Sequence, residues 1–299
     1  VAASPREALL VDVGWLKANL ADPKLVLLHV GDEAEYKVAH LPGARFLPYG
    51  GDDQRTLAAS DHTGKGLMLE MLPAETLKSR LEALGISDDS RVVLYYGKDW
   101  ISPTTRMLFT LDYAGLEAVS LLDGGQTAWV AAGGATTAEV PSVTPGHLGP
   151  LRLKPTVVDA AFVRQHAGQR PEKSAYALVD GRAPVFFDGV DVGGGHAGPH
   201  KAGHIAGAGN VPYNEVVGDD LKLKSPEELT AMFEKAGVKA GDTVIGYCHI
   251  GQQATAMLFA ARTLGHPVLL YDGSFEDWSR GDGPVEGPAV APKKPEDGR

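Results

Sequence analysis

The chain carries its structural plan twice. PAETLKSRLEALGISDDSRVVLYY, from Pro73 to Tyr96, and PEELTAMFEKAGVKAGDTVIGYC, from Pro226 to Cys248, follow one pattern. Aligned on Gly85 and Gly237, the stretches Val92 to Tyr95 and Val244 to Tyr247 coincide without a gap, which sets Tyr96 opposite Cys248. Other matches come in the same order. HLPGARFLPY from His40 pairs with HIAGAGNVPY from His204, MLF at Met107 with MLF at Met257, and LLDGGQTAW from Leu121 with LLYDGSFEDW from Leu269. VDVGWLKANL from Val11 resembles VDAAFVRQHA from Val158, both amphipathic. A repeat on the scale of half the chain means two copies of one domain, and 299 residues are enough for two buried cores.

Each copy reads as an α/β unit. The apolar runs Leu25 to Val30, Val92 to Tyr95, Ala177 to Val179 and Val244 to Tyr247 are short and bounded by turn residues, the pattern of strands buried on both faces. Helical patterns lie between them. The clearest starts with Ser225 as N-cap, Pro226 at the first helical position and Glu228 closing a capping box. Alternating strands and helices predict two mostly parallel sheets, each flanked by helices. Aligning Val30 with Val179 sets Glu33 opposite Arg182. The Pro-, Gly- and Thr-rich stretch from Gly134 to Pro155 lacks periodicity and supplies the linker, taken as 139–155 between units at 1–138 and 156–299. The tail from Gly281 is expected to wrap or fray.

Cys248 ends a buried strand, and His249, Ile250, Gly251, Gln252 and Gln253 lead from it into a helix from Ala254. Strand, tight loop and helix N-terminus together make a site for negative charge, because backbone N–H groups and the helix dipole converge there. Such a setting favours the thiolate and makes the sulfur nucleophilic near neutral pH. The first copy has Tyr96 in place of the thiol, followed by the longer loop GKDWISPTTR. One copy is equipped and the other is not. Arg182 lies in the same half as the thiol and suits an anionic substrate. With a single cysteine in the chain, an internal disulfide and a cysteine-based zinc cluster are both excluded.

The HIAGAGNVPY, YCHIGQQATA and DGSFEDW segments resemble those of tandem rhodaneses, in which two rhodanese-like domains are joined and the C-terminal one is catalytic. The resemblance runs from about Val11 to Trp278. It implies a sulfurtransferase that carries sulfane sulfur as a persulfide on Cys248, with His249, Ile250, Gly251, Gln252 and Gln253 as the active-site loop and Arg182 as the substrate-binding arginine. The partners it implies are a small anionic sulfur donor and a thiol or cyanide acceptor, with no cofactor. Thiosulfate is the expected donor, 3-mercaptopyruvate the alternative, and a non-turnover sulfur-binding module a third reading. HIGQQ matches neither the basic loop frequent in thiosulfate enzymes nor the Gly–Ser–Gly-like loop of mercaptopyruvate enzymes. Phosphatases of a related fold need Arg six residues after the cysteine, where this chain has Ala254.

His196, His200 and His204 are spaced by four, but the glycines and proline among them argue against a helix that would align them on a metal, so no metal is expected. The insertion from Asp188 to His200 is expected to form a mobile rim near the site, Lys201 to be solvated, and Trp278 to be a packing residue matching Trp129. A net charge of −10 gives nucleic acid no footprint, and no apolar run reaches a membrane-spanning length. VAASPREALL looks like a chain left after removal of a signal peptide, which favours an exported or periplasmic protein over a cytoplasmic one.

Overall fold

A computed structural model describes residues 2–50, 53–97, 100–193 and 200–287. In the first half the strands are Leu10–Val11 (β1), Leu25–Val30 (β2), Arg45–Leu47 (β3), Ala58–Ala59 (β4), Glu70–Met71 (β5), Arg91–Tyr96 (β6) and Val119–Leu122 (β7). The helices are Pro5–Leu9 (α1), Val13–Asn19 (α2), Glu33–Val38 (α3), Ala74–Ala83 (α4), Ser102–Tyr113 (α5) and Gly125–Ala131 (α6). The second half has strands Val157–Val158 (β8), Tyr176–Asp180 (β9), His204–Ile205 (β10), Gly209–Asn210 (β11), Thr243–Tyr247 (β12), Val268–Tyr271 (β13) and Val285–Glu286 (β14). Its helices are Ala160–Arg164 (α7), Pro184–Phe187 (α8), Pro226–Lys235 (α9), Gln253–Thr263 (α10) and Ser274–Arg280 (α11).

Two five-stranded sheets result, β1-β7-β6-β2-β3 and β11-β9-β12-β13-β8, all of whose pairings are parallel. Their central strands are buried on both faces, which is why they read as continuous apolar runs rather than alternating ones. The Ser225 capping box is present, with Oγ accepting the Glu228 N–H at 3.2 Å and the Glu228 carboxylate accepting the Ser225 N–H at 3.0 Å. Residues 285–286 of the tail pair antiparallel with β10, so this part wraps; 288–299 lie outside the described residues.

The ladders correct two alignments. Leu28 faces Arg45, and Val179 faces Gly209, the residue that matches Arg45 in the HLPGARFLPY and HIAGAGNVPY pair. Leu28, not Val30, is therefore the counterpart of Val179, and Arg182 stands where the first half has Gly31 rather than Glu33. Likewise Val92 faces Val119 and Val244 faces Val268, so Asp123 matches Asp272 and Trp129 matches Trp278 without the gap that starting from Leu121 and Leu269 requires.

The halves meet along α5 and α10. Thr105 Oγ1 and Thr255 Oγ1, at matching positions, hydrogen-bond each other at 2.9 Å, and one apolar core runs from Leu94 and Met107 through to Val244 and Met257. Reciprocal arms reinforce the contact. Asp272 accepts the backbone N–H of Met71 from the first half, while Asp123 accepts that of Leu223 from the second at 2.9 Å. The segment between α6 and β8 contains no helix or strand, yet it is strapped to the first domain. Thr137 exchanges two backbone hydrogen bonds with His40, each 2.9 Å, and Leu148 is buried.

Candidate active site

β12 ends at Tyr247, and the next residue, Cys248, is held by α11. Its N–H donates to Ser274 Oγ at 3.1 Å, and its carbonyl accepts the Phe275 N–H at 2.9 Å. Ser274 has φ +54, a left-handed conformation costly for a residue with a Cβ, and the equivalent position in the first half is Gly125 at φ +58. The strained serine is the one whose hydroxyl fixes the cysteine backbone. The loop then turns so that the Gly251 N–H donates to Cys248 Sγ at 3.2 Å. Gly251 takes φ +86, and a Cβ there would lie 2.6 Å from Asp272 Oδ1, so glycine is needed for both the turn and the close approach. α10 begins at Gln253, so its positive end follows the cysteine loop directly and, with the Gly251 N–H, makes this a place suited to an anionic ligand.

Cys248 sits at the floor of a cavity of about 390 Å³ between the two halves. His249, Ile250, Gln252 and Gln253 share its wall, and the first domain supplies Tyr49, Gly50, Ser60, His62, Met68, Leu69 and Trp100. Tyr49 and Trp100 meet edge to face with centroids 5.7 Å apart. The loop side chains take different directions. Gln252 turns its amide into the domain contact, donating to Ser102 Oγ at 3.1 Å. Gln253 Oε1 is buried without a hydrogen-bond partner among the described residues. The His249 ring lies edge to face on Phe186, with centroids 4.6 Å apart, and near Gly193.

Arg182 does not line this cavity. It is fully buried, with Nη2 2.7 Å from Asp180 Oδ2 and 2.7 Å from the Gly203 carbonyl, and its guanidinium lies 4.1 Å from the Phe275 ring centroid. Desolvation works against its charge, but Asp180 and, more weakly, Tyr247 and Cys248 raise its pKa above the usual arginine value. Nη1 has no hydrogen-bond partner among the described residues. Arg182 is thus a fixed cation close enough to the thiol to feel its charge.

A second buried arginine comes from the other domain. Arg106 in α5 places Nη1 3.0 Å from the Gly251 carbonyl and 2.5 Å from Asp272 Oδ1, and Nη2 donates to the Leu69 carbonyl. The first domain therefore grips the cysteine loop by the residue whose N–H meets the sulfur. Its counterpart in α10, by the Met107 and Met257 match, is Ala256. Sequence reasoning missed Arg106, although the one charged residue between Ser102 and Leu111, opposite an alanine in the repeat, was a readable signal. It also missed the first-domain cavity wall, whose residues lie in loops and, apart from Tyr49 at the end of HLPGARFLPY, outside any repeat motif.

Of the remaining candidates, Trp278 is buried as expected, and Lys201 Nζ donates to the Gly281 carbonyl at 2.6 Å in an exposed contact. His204 stacks on Phe187, with ring centroids 3.6 Å apart, and the His200 ring is 5.7 Å from that of His249. His196 and the part of the expected rim at 194–199 lie outside the described residues. Among the described residues no helix is long and apolar enough to cross a membrane.

A family model described as the Rhodanese-like domain matches residues 12–132 and again 164–281. The sulfur carrier protein TtuD of Thermus thermophilus is 33% identical over 281 residues, covering 90% of this chain and 93% of that protein. The thiosulfate sulfurtransferase of Corynebacterium glutamicum is 28% identical over 276 residues, 90% of this chain and 87% of that protein. Among solved structures, the 3-mercaptopyruvate sulfotransferase SseA of Escherichia coli aligns with a TM-score of 0.73 at 28% identity, covering 89% of this chain and 98% of its own.

Proposed function

The chain belongs to the rhodanese-like family as a two-domain sulfurtransferase, and from that premise we propose that it takes sulfane sulfur from thiosulfate onto Cys248 and passes it to a thiol or cyanide. The observation that carries this reading is the Gly251 N–H directed at Cys248 Sγ at the head of α10, on the floor of a cavity. In the first step the thiolate attacks the outer sulfur of thiosulfate. The S–S bond breaks, sulfite leaves with the bonding pair, and Cys248 holds a persulfide. In the second step the acceptor's thiolate or cyanide carbon attacks the terminal sulfur, and Cys248 leaves as thiolate. Two half-reactions at one site imply ping-pong kinetics.

The protein groups in this scheme bind and stabilise charge. The Gly251 N–H and the α10 dipole stabilise negative charge brought to Cys248 by the donor and carried by the terminal sulfur of the persulfide. Arg182 has its charge paired with Asp180, and what it offers the donor's anionic end is the one guanidinium nitrogen, Nη1, that has no hydrogen-bond partner among the described residues. The cavity is larger than thiosulfate needs, which leaves room for an organic acceptor against Tyr49 and Trp100. Because the chain has no second cysteine, the acceptor is external. The likeness to SseA keeps 3-mercaptopyruvate as the second donor to test.

Intact-mass measurement after thiosulfate treatment tests the reading. The wild type is expected to gain one sulfur atom and to lose it on adding cyanide with release of thiocyanate, and Cys248→Ser is expected to do neither. Retention of the gain by Cys248→Ser would overturn the persulfide assignment. A kcat/KM for 3-mercaptopyruvate tenfold above that for thiosulfate, about 1.4 kcal/mol in transition-state binding, would transfer the donor assignment.

A further inference from the structure

A second cavity, of about 470 Å³, opens where α3, β3, the end of α4 and the strapped linker meet, and it shares no residue with the cavity over Cys248. Its charge runs against that of the chain. The protein carries a net −10, yet this wall gathers Lys37, Arg45, Arg55 and Arg80 around one lining carboxylate, Glu33. Arg55 is neutralised by Glu33 at 3.0 Å and Asp53 at 2.7 Å. Arg45 and Arg80 are not. Arg45 is half-buried and donates to the Leu84 carbonyl, while Arg80 donates to the Thr56 carbonyl at 2.5 Å and to Gln54 Oε1 at 3.3 Å; neither forms an ion pair among the described residues. Burial lowers the Arg45 pKa from the usual arginine value, the direction expected of a cation drawn from water without a counter-charge.

Between these cations the surface is apolar. Phe46 and Leu84 line one side and the linker the other, where Val140 is 63% exposed at the cavity wall. Apolar surface here adjoins two guanidinium groups that make no ion pair of their own, Arg80 feeling only the Asp53 carboxylate that Arg55 already holds, and an anion with an apolar body complements both features. A volume of this size lies in the range of small-molecule sites, which combine mostly apolar walls with a few polar anchors.

We propose that this cavity binds a small amphipathic anion, its carboxylate, sulfonate or phosphate head held by Arg45 and Arg80 and its apolar body laid against Phe46 and Val140. The site is independent of the sulfur chemistry. Because the linker forms one wall, occupancy ties the linker more firmly to the first domain.

Isothermal titration of the full chain with naphthalene-2-sulfonate tests the proposal, with inorganic sulfate and 2-naphthalenemethanol as probes of head and body alone. Saturable binding at one site is expected, at least tenfold tighter than for either partial probe, and unchanged in Cys248→Ser. Arg45→Met with Arg80→Met is expected to weaken it at least tenfold. If that pair disturbs folding, Val140→Asp replaces an exposed residue, should fold normally, and should weaken binding at least tenfold by setting a charge against the apolar body and a competing carboxylate in a cavity lined by Arg45 and Arg80. Absence of saturable binding, or wild-type affinity in Val140→Asp, would overturn the proposal.

Discussion

Replacing Arg106 with methionine removes a fully buried guanidinium and leaves the Asp272 carboxylate, itself 3% exposed, without its counter-charge. Methionine fills most of the same volume, so the cost comes from electrostatics rather than from a cavity. Breaking a buried pair by deleting one partner costs about 3 to 5 kcal/mol, and the Gly251 and Leu69 carbonyls lose their donor as well. Adding Asp272→Asn removes the stranded charge, and the double variant is expected to recover at least about 2 kcal/mol, leaving mainly the two carbonyls uncompensated. Turnover should behave differently. With no guanidinium on the Gly251 carbonyl, the peptide that aims the Gly251 N–H at Cys248 is less fixed, so kcat is expected to stay at least tenfold down in the double variant although its stability has partly returned. Urea unfolding and thiocyanate production measure the two quantities on the same preparations. A single variant that loses less than about 1 kcal/mol, or a double variant with wild-type kcat, would refute the argument.

Ser274→Gly relieves the left-handed strain but deletes the hydroxyl bound to the Cys248 N–H, so chemical denaturation should show a change within about 1 kcal/mol while turnover falls roughly tenfold; unaltered turnover would make the hydroxyl dispensable. Burial, with the Asp272 charge nearby, pushes Glu70 from an ordinary 4.5 up to about 7. Folding therefore takes up a proton between those values, and stability from this group falls as pH rises through that window; Glu70→Gln should flatten the fall in melts at about pH 5 and about pH 8, and an unchanged slope would reject the assignment. Arg182→Lys keeps a charge beside Asp180 but loses the planar fork, so the thiosulfate KM should rise about tenfold with the fold intact. Wild-type kinetics in that variant would leave Arg182 as a partner of Asp180 alone.

The central strands were readable because burial on both faces makes them unbroken apolar runs, and the cysteine loop because its grammar is local: a strand, a glycine turn and a helix start within a few residues. Register was harder. Nothing in an apolar run such as Leu25 to Val30 marks which residue faces which, and a slide of two positions put Glu33 where Gly31 belongs. The sequence assigns Arg182 to an anionic substrate because it shares a half with the thiol, and says nothing of how deeply it is buried. Two residues earlier, Asp180 at the end of a buried strand could have suggested a buried pair instead. The cavity wall from Tyr49 to Trp100 and the reach of Arg106 depend on how two domains dock, which no local pattern encodes.

The reciprocal arms across α5 and α10 also bear on how the chain comes apart. Leu69 and Leu221, both at positive φ, are each caught by a buried side chain, the first by Arg106 and the second by Tyr96, and the Asp272 and Asp123 contacts repeat the exchange. Neither half can lose its tertiary structure without stripping polar partners and core surface from the other. Melting of the two homologous units is thereby coupled into one cooperative transition, and proteolytic nicking between them would leave a noncovalent heterodimer rather than a free catalytic fragment. The thiol-bearing copy has given up autonomy: the Tyr96 copy, having lost the nucleophile, persists as the other half of its folding unit.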